Sequence, residues 1–257
     1  MSRNARQKSE SGIYHIIVRG VNRQDIFHDD EDMQKYLETI ARMKKEDRFE
    51  LYGFCLMTNH VHTLVQEREE EISRVMRRIG TSYAMWYNSK YDRVGHLFQG
   101  RYRSEGVDGD AYLLTVIRYI LNNPVMAGLA PEPEDYRWSS CREYYGHTGH
   151  PRGLTDTRFI LGLFADNKLE AVKGLKQHMK EGKRDTCLDD DIKARLSDLE
   201  LAAAIKTVLN GEPATALLTM EKKRRKAVLK EIKSIDGCTQ RQIARVTGLN
   251  PNMVFRA

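Results

Sequence analysis

The sequence predicts an α+β fold in which helices cover one face of an antiparallel sheet, followed by an all-α C-terminal region. Strand-like and helical segments alternate in the order β-α-β-β-α-β between residues 12 and 107, and the later segments have helical patterns. Charge separates the two parts, because residues 221–257 hold ten Lys or Arg against three Asp or Glu. The net charge of +6 therefore arises from the C-terminal end.

The first half of the sheet is predicted from four consecutive segments. Residues 12–19 are rich in β-branched and aromatic residues, which favour a strand. From Asp30 onward, apolar residues recur at helical spacing behind an acidic first turn, which predicts a helix. Residues 50–57 and 60–66 again have strand-like composition, and the two residues between them predict a hairpin.

The second half of the sheet repeats the helix and the strand. Residues 70–91 have helical periodicity, and the glycine-punctuated run 95–107 leads into a short strand. This order is the ferredoxin-like βαββαβ arrangement, with helices on one face of the sheet and the other face left for a ligand. A third helix is expected from Asp110 to about Asn122, because Pro124 disfavours helical conformation in the residue before it.

Three regions are predicted along the chain. A loop-like run over 146–156 marks the end of the first. The predicted regions are a catalytic domain at 1–147, a helical linker at 148–198 and a C-terminal helical domain at 199–257.

Composition narrows the function classes. With 40% hydrophobic and 30% charged residues, the 257-residue chain can bury a core. It has no apolar run of membrane-spanning length and no signal-peptide pattern at its start, so a cytoplasmic protein without membrane contact is expected. Four scattered cysteines without a CxxC pair argue against a disulfide framework or a thiolate zinc site. The lack of GxxxxGK and GxGxxG motifs argues against nucleotide-driven chemistry.

Two pairs of residues carry recognisable chemistry. His60 and His62 alternate on a predicted strand, so both imidazoles project from one sheet face and can reach the same cation. Tyr119 and Asn123 are one helical turn apart, so a phenol and an amide can face a common point. Each pair also has a simpler interpretation: packed or solvated histidines, a packing tyrosine and a helix-terminal cap. Neither pair is diagnostic alone.

Four motifs taken together resemble one family. They are TNHVH at 58–62, GHLFQGRYRS at 95–104, YILNNPVMAGL at 119–129 and DYRWSS at 135–140. In order and spacing the chain resembles the HUH single-tyrosine, or IS200-like, transposases, and within them the REP-associated tyrosine transposases. The resemblance covers residues 11–146, so it is more specific than any single motif.

The resemblance implies a metal-dependent DNA strand transferase. His60 and His62 would bind the metal, Tyr119 would be the nucleophile, and Asn123 would take the place of a third polar ligand, where many related enzymes have Gln. Mg²⁺ or Mn²⁺ is the expected ion, with Mn²⁺ better matched to imidazole. Attack on single-stranded DNA near a hairpin would give a 5′-phosphotyrosine and a 3′-OH without ATP. The enzyme would act as a monomer or a homodimer.

Basic residues predict further DNA contacts. Four arginines near predicted strand ends can hold phosphates: Arg19, Arg23, Arg101 and Arg103. Residues 239–256 have a helix-turn-helix pattern, with small Ala244 where the helices cross and Gly248 at the turn. The expected contacts of this region, some of them to duplex DNA, are Lys222, Lys223, Arg224, Arg225, Lys226, Arg241, Arg245, Asn250, Asn252 and Arg256.

Two other functions fit the same residues. A zinc hydrolase would use His60, His62 and another histidine such as His15 or His96, and it would not need Tyr119. A DNA-binding regulator would keep the fold and the helix-turn-helix without cleaving DNA. Covalent attachment of DNA to Tyr119 would separate the strand transferase from both.

Overall fold

The chain forms two units in the computed structural model, Met1–Asp189 and Asp190–Ala257. The structure describes residues 8–47, 49–148, 151–181, 187–188, 198–235, 238 and 240–256, without the side chains of residues 47, 199, 241 and 256. All four cysteines are in the thiol form. Within the described residues, no helix has both the length and the apolar character that crossing a membrane requires.

A four-stranded antiparallel sheet lies at the centre of the first unit. Its strands are β1 (Ile13–Arg19), β2 (Glu50–Met57), β3 (His60–Gln66) and β4 (Arg103–Gly106), in the order β2-β3-β1-β4. Helix α1 (Asp30–Asp47) connects β1 to β2, and α2 (Ile72–Lys90) connects β3 to β4. The prediction of an antiparallel sheet with intervening helices is confirmed.

Helices α1 and α2 cover one face of the sheet. Three acidic residues begin α1 and two lysines lie in its last turn, which suits the helix dipole. Alternate strand residues, among them Ile16 and Val61, belong to the same buried cluster as Leu37 of α1 and Val75 of α2. The alternation leaves the remaining strand residues on the opposite face.

That opposite face is also covered, so the expectation of helices on one face only was wrong. Helix α3 (Asp110–Met126) packs there against β2 and β3, and its Ile117 and Ile120 join Leu64 in a second buried cluster. Gly53 of β2 allows the close approach, because a Cβ atom at that position would lie 2.5 Å from Cδ1 of Ile117. The apolar side of α3 needs a partner surface, and this face of the sheet supplies it.

Helix α3 also continues beyond the expected end near Asn122. It includes Asn123 and Pro124 and ends at Met126. A proline inside a helix removes one backbone donor and costs about 3 kcal/mol. Here Asn123 and Pro124 are buried, and Nδ2 of Asn123 donates to the carbonyl of Tyr119. The packing of this last turn outweighs the local cost.

Three shorter helices complete the described part of the first unit. They are α4 (Cys141–Tyr144), α5 (Thr157–Gly162) and α6 (Lys168–Glu181). Ile160 of α5 and Leu175 of α6 are fully buried in the cluster that contains α3. The packing therefore assigns α5 and α6 to the first unit, although they fall within the predicted linker 148–198. Residues 182–186 and 189–197 of that linker lie outside the described residues.

The second unit is helical in its described part. Its α-helices are α7 (Asp198–Val208), α8 (Lys222–Lys233), α9 (Gln240–Thr247) and α10 (Pro251–Arg256). Leu201, Leu229, Ile243 and Val254, one from each helix, are buried in a common core. Gly248 joins α9 to α10 with a φ of +73°, a conformation that glycine adopts at little cost.

Candidate active site

Three histidines lie together on β1 and β3. In the antiparallel register His62 pairs with Ile17 and His60 pairs with Arg19, and His15 lies two residues before Ile17. Alternation therefore places all three imidazoles on the face that α3 covers. The ring centroids of His60 and His62 are 4.9 Å apart, and those of His15 and His62 are 5.3 Å apart. His15 and His62 are fully buried, whereas His60 is half-buried.

Helix α3 brings Tyr119 to the same cluster. The ring centroid of Tyr119 lies 5.7 Å from that of His62 and 6.0 Å from that of His15. Asn123 lies one turn further along the helix and is also buried, with Nδ2 3.0 Å from the carbonyl oxygen of Tyr119. The phenol and the histidine pair therefore occupy the same side of the sheet, within one chain.

A chain of polar contacts runs from His62 to Glu105 of β4. Oε1 of Glu105 lies 2.7 Å from Nδ1 of His15, and Nε2 of His15 lies 3.1 Å from Nδ1 of His62. The backbone N–H of Leu188 also donates to Glu105. Burial raises the pKa of Glu105, but the hydrogen bond from His15 and these other contacts outweigh it and leave the pKa below its ordinary value. Glu105 is therefore a carboxylate at neutral pH, and it only accepts hydrogen bonds.

The carboxylate of Glu105 sets which ring nitrogens carry protons. With neutral imidazoles, Nδ1 of His15 donates to Glu105, and Nε2 of His15 accepts from Nδ1 of His62. Nδ1 of His60 donates to Oδ1 of Asn59 at 2.6 Å. In His60 and His62 the lone pair then lies on Nε2. Metal-binding histidines have this arrangement, in which a hydrogen bond at one ring nitrogen orients the other toward the ion.

The donor set fits a divalent ion with two imidazole ligands. The described residues contain no group of three or more His, Cys, Asp or Glu side chains that could hold a metal ion. An ion at His60 and His62 would therefore complete its coordination with amide, water or phosphate oxygens, which Mg²⁺ and Mn²⁺ accept. The zinc-hydrolase alternative needs a third histidine ligand. His15 already uses both ring nitrogens in hydrogen bonds, and His96 lies in a groove beside α2.

The four predicted phosphate-binding arginines surround the end of β1. Arg19 is the last residue of β1 and pairs with His60 in the register. Arg23 lies in the short 3-10 turn that follows, and Arg103 is an exposed residue of the neighbouring β4. Arg101 is exposed in the segment just before β4. The structure thus places these arginines at the end of β1 or in the segments next to it.

In the second unit, the basic start of α8 lies beside the start of α10. Lys222, Arg225 and Lys226 line a groove of about 480 Å³ together with Asn250 and Asn252. The neighbouring basic residues of α8, Lys223 and Arg224, are exposed. Seven of the predicted DNA contacts are therefore close together in this unit.

Several of the predicted DNA contacts in the second unit already have partners within the described residues. Arg225 of α8 donates to the carbonyls of Leu217 and Leu218. Arg245 of α9 forms an ion pair with Asp198 of α7 at 2.7 Å. Oδ1 of Asn250 accepts the backbone N–H of Asn252 at the start of α10. The side chains of two further predicted contacts, Arg241 and Arg256, lie outside the described part of the structure.

Sequence reasoning missed Glu105 and considered His15 only as a zinc ligand. Both residues lie on the sheet face of the histidine pair, because His15 pairs with Glu105 in the β1–β4 register. The strand order was the missing information. Once β4 is placed next to β1, alternation along the two strands is enough to find the pair.

Comparisons with known proteins agree with these motifs. The family Transposase IS200 like matches residues 8–123. A solved REP-associated tyrosine transposase bound to a REP hairpin is 19% identical with a TM-score of 0.48, over 61% of this chain and 90% of that chain. A putative transposase from Deinococcus radiodurans R1 is 18% identical with a TM-score of 0.34, over 47% of this chain and 97% of that chain. No curated protein matches the chain.

The family match includes the features that build the candidate site. Residues 8–123 contain all four strands, the histidine pair, Tyr119 and Asn123. The match and the site coincide in the first unit. Residues 8–123 of the chain therefore match the IS200-like transposase family.

Proposed function

We propose that the first unit cleaves and rejoins a single DNA strand through a covalent link to Tyr119. The family match over residues 8–123 supports the transposase function. The observation that carries the mechanism is the 5.7 Å separation between the rings of Tyr119 and His62. This places a nucleophile beside the proposed metal ligands His60 and His62. Because both parts come from one chain, attack within one subunit is the simplest arrangement, in a monomer or in a homodimer.

The proposed reaction is a phosphoryl transfer in which the phosphotyrosine bond replaces the phosphodiester bond, so that the strand can be rejoined without ATP. The oxygen of Tyr119 bonds to phosphorus as the phenol loses its proton, the bond from phosphorus to the 3′ oxygen breaks, and that oxygen takes up a proton. The products are a 5′-phosphotyrosine and a 3′-OH, and a second 3′-OH can later displace the tyrosine. A Mg²⁺ or Mn²⁺ ion, when bound, would offset the charge on the non-bridging oxygens. Its proposed ligands are His60, His62 and Asn123.

The substrate is proposed to be single-stranded DNA that bears a hairpin, as the motifs of the REP-associated transposases imply. Arg19, Arg23, Arg101 and Arg103 would bind its phosphates, because guanidinium groups bind phosphate oxygens through two hydrogen bonds. Their position around the end of β1 supports this role. The strand order β2-β3-β1-β4 also supports the inference that the first unit has a ferredoxin-like fold.

The proposed function is tested by a covalent adduct. Wild-type protein mixed with hairpin-bearing single-stranded DNA and Mn²⁺ should give a protein–DNA band that survives denaturation. A regulator would bind the same DNA without an adduct, and a hydrolase would release both fragments. Binding or hydrolysis without the adduct would therefore reject strand transfer.

His15 and Glu105 are proposed as positioning residues for His62, through the contacts at 3.1 Å and 2.7 Å. Glu105→Gln replaces an obligate acceptor with an amide, which can donate to Nδ1 of His15 and reverse the ring tautomers. We expect Mn²⁺ affinity to fall by about 10- to 100-fold, with an unchanged circular dichroism spectrum. Electron paramagnetic resonance of unbound Mn²⁺ measures the affinity. Glu132→Gln, at an exposed position, is the matched control, and equal affinities in the two variants would contradict the positioning role.

The C-terminal unit is proposed to bind duplex DNA as a helix-turn-helix formed by α9 and α10. The exposed Lys222 and Lys226 beside α10 support this role. Each phosphate contact contributes about 0.9 to the slope of log affinity against log salt concentration. We therefore expect Lys222→Ala and Lys226→Ala each to reduce the slope for duplex binding by about one. Lys206→Ala, which removes an exposed lysine of α7, should leave the slope unchanged, and a full slope in all three variants would exclude the α8 contacts.

A further inference from the structure

A second groove lies in the first unit, between α2 and the segment 95–102. Its volume is about 550 Å³, within the range of small-ligand pockets. Val18, Met76 and Leu97 give it an apolar floor, and Phe98 and Tyr102 supply aromatic rings. The proposed catalytic steps do not use this groove.

The cations on the groove rim have no acidic partners in the described part of the chain. Arg77 of α2 and Arg101 are exposed, and neither forms an ion pair with any described residue. The next residue of α2, Arg78, is instead bound to Glu46 and Glu70. The described lining of the groove includes no Asp or Glu. An anionic ligand is therefore complementary to this rim.

One polar atom in the groove wall, Oδ1 of Asn88, can accept a hydrogen bond from a ligand. Asn88 of α2 donates through Nδ2 to the carbonyl of Gly95 at 3.0 Å. Its Oδ1 is buried and accepts no hydrogen bond from the described residues. A ligand with an N–H group satisfies this acceptor. Phosphate, a planar aromatic surface and an N–H donor occur together in a nucleotide.

The groove lies on the α2 side of the sheet, and one of its walls is attached to the end of β1. The segment 95–102 is held to the end of β1, since Gln99 donates to the carbonyl of Arg19 and Phe98 bridges to Gly20. Arg19 in turn pairs with His60. A DNA strand bound at the histidine pair would pass from the α3 side of the sheet over the end of β1 to reach the groove on the α2 side.

We propose that this groove binds one unpaired nucleotide of the DNA strand. The phosphate lies against Arg77 and Arg101, and the base enters the apolar part beside Phe98, where Oδ1 of Asn88 accepts its N–H. This inference rests on the proposed function, because it takes single-stranded DNA as the substrate. It adds a base-specific contact at a place that the metal and the tyrosine do not reach.

The test combines groove variants with abasic DNA. A fluorescein-labelled, hairpin-bearing single strand is titrated with protein in EDTA, and each unpaired base is removed in turn. In wild-type protein, loss of one base should weaken binding about tenfold. In Gly80→Leu, which narrows the groove beside Phe98, the same base should make no difference. Arg77→Ala and Arg101→Ala should each lose affinity, and the control Arg78→Ala should behave as wild type.

Several outcomes overturn the proposal. One is an equal cost of the missing base in wild type and Gly80→Leu, and another is a wild type that is insensitive to every base. If Gly80→Leu changes the sedimentation of the protein and not its DNA affinity, the groove joins two copies of the chain. If Gly80→Leu does not fold, the DNA affinities of Arg77→Ala and Arg101→Ala test the proposal in its place. An adduct assay on the same DNA separates the two proposals, because loss of the adduct alone rejects Tyr119 chemistry and leaves the groove result standing.

Discussion

Tyr119→Phe is expected to abolish the covalent protein–DNA adduct and to reduce strand cleavage by at least about 10³-fold. The substitution removes the proposed nucleophilic oxygen and keeps the ring, which packs against both His15 and His62. Folding and DNA affinity should therefore change little. The adduct is measured by denaturing gel electrophoresis, and DNA affinity by fluorescence anisotropy in EDTA.

The matched control for this result is Tyr112→Phe, on the same helix two turns earlier. Burial raises the pKa of Tyr112 above its ordinary value, and the nearby carboxylate of Glu105 raises it further. Its phenol is therefore a poorer source of a nucleophilic oxygen than an ordinary tyrosine. Tyr112→Phe also removes a hydrogen bond to Glu105, but it should retain the adduct because the carboxylate keeps its contacts with His15 and the backbone of Leu188. An adduct that survives in Tyr119→Phe and disappears in Tyr112→Phe would move the nucleophile to Tyr112.

The second large effect is expected from the histidine pair. His62→Ala should weaken Mn²⁺ binding by at least about 100-fold, because losing a ligand costs more than losing a residue that orients one. Adduct formation should fall in parallel. Calorimetric titration with Mn²⁺ measures the binding, and thermal unfolding checks that the buried site still folds.

His60→Ala provides the same test at a half-buried position, where loss of the ring disturbs packing less. His147→Ala removes an exposed histidine and should change neither metal binding nor the adduct. If His60→Ala and His62→Ala both retain the Mn²⁺ affinity of the wild type, the metal is held elsewhere and the proposed ligand set is wrong.

Periodicity is enough to predict the four strands and the first two helices of the first unit, because burial on a sheet face or a helix side leaves a direct mark on the sequence. The same alternation along β3 predicts that His60 and His62 share one face of the sheet. The position of α3 cannot be predicted in this way. The apolar side of α3 shows only that the helix packs against some other surface. Its close approach to Gly53 of β2 depends on how the helix is positioned on the folded sheet.

Local rules failed where tertiary contacts outweigh them. Pro124 should have ended α3 one turn earlier, but the buried last turn keeps Asn123 helical. Arg245 was predicted to contact DNA as part of the helix-turn-helix pattern, and no sequence pattern indicated its ion pair with Asp198, which lies 47 residues earlier in the chain. Glu105 was overlooked for the same reason, since its contact with His15 spans 90 residues. Pairings between residues so far apart depend on the fold and leave no local pattern.

The two halves of the candidate site are attached to the protein by different forces. The three imidazoles sit on adjacent strands, so the interstrand ladder of amide hydrogen bonds fixes their spacing. Tyr119 is carried by a helix that side-chain packing holds on the sheet, with Pro124 interrupting its final turn. Amide protons of β1 and β3 should therefore exchange with deuterium most slowly, and those around Pro124 faster. We therefore expect the three imidazoles to be the rigid part of the site. Tyr119 would be the more mobile part, which could adjust as the DNA strand end moves.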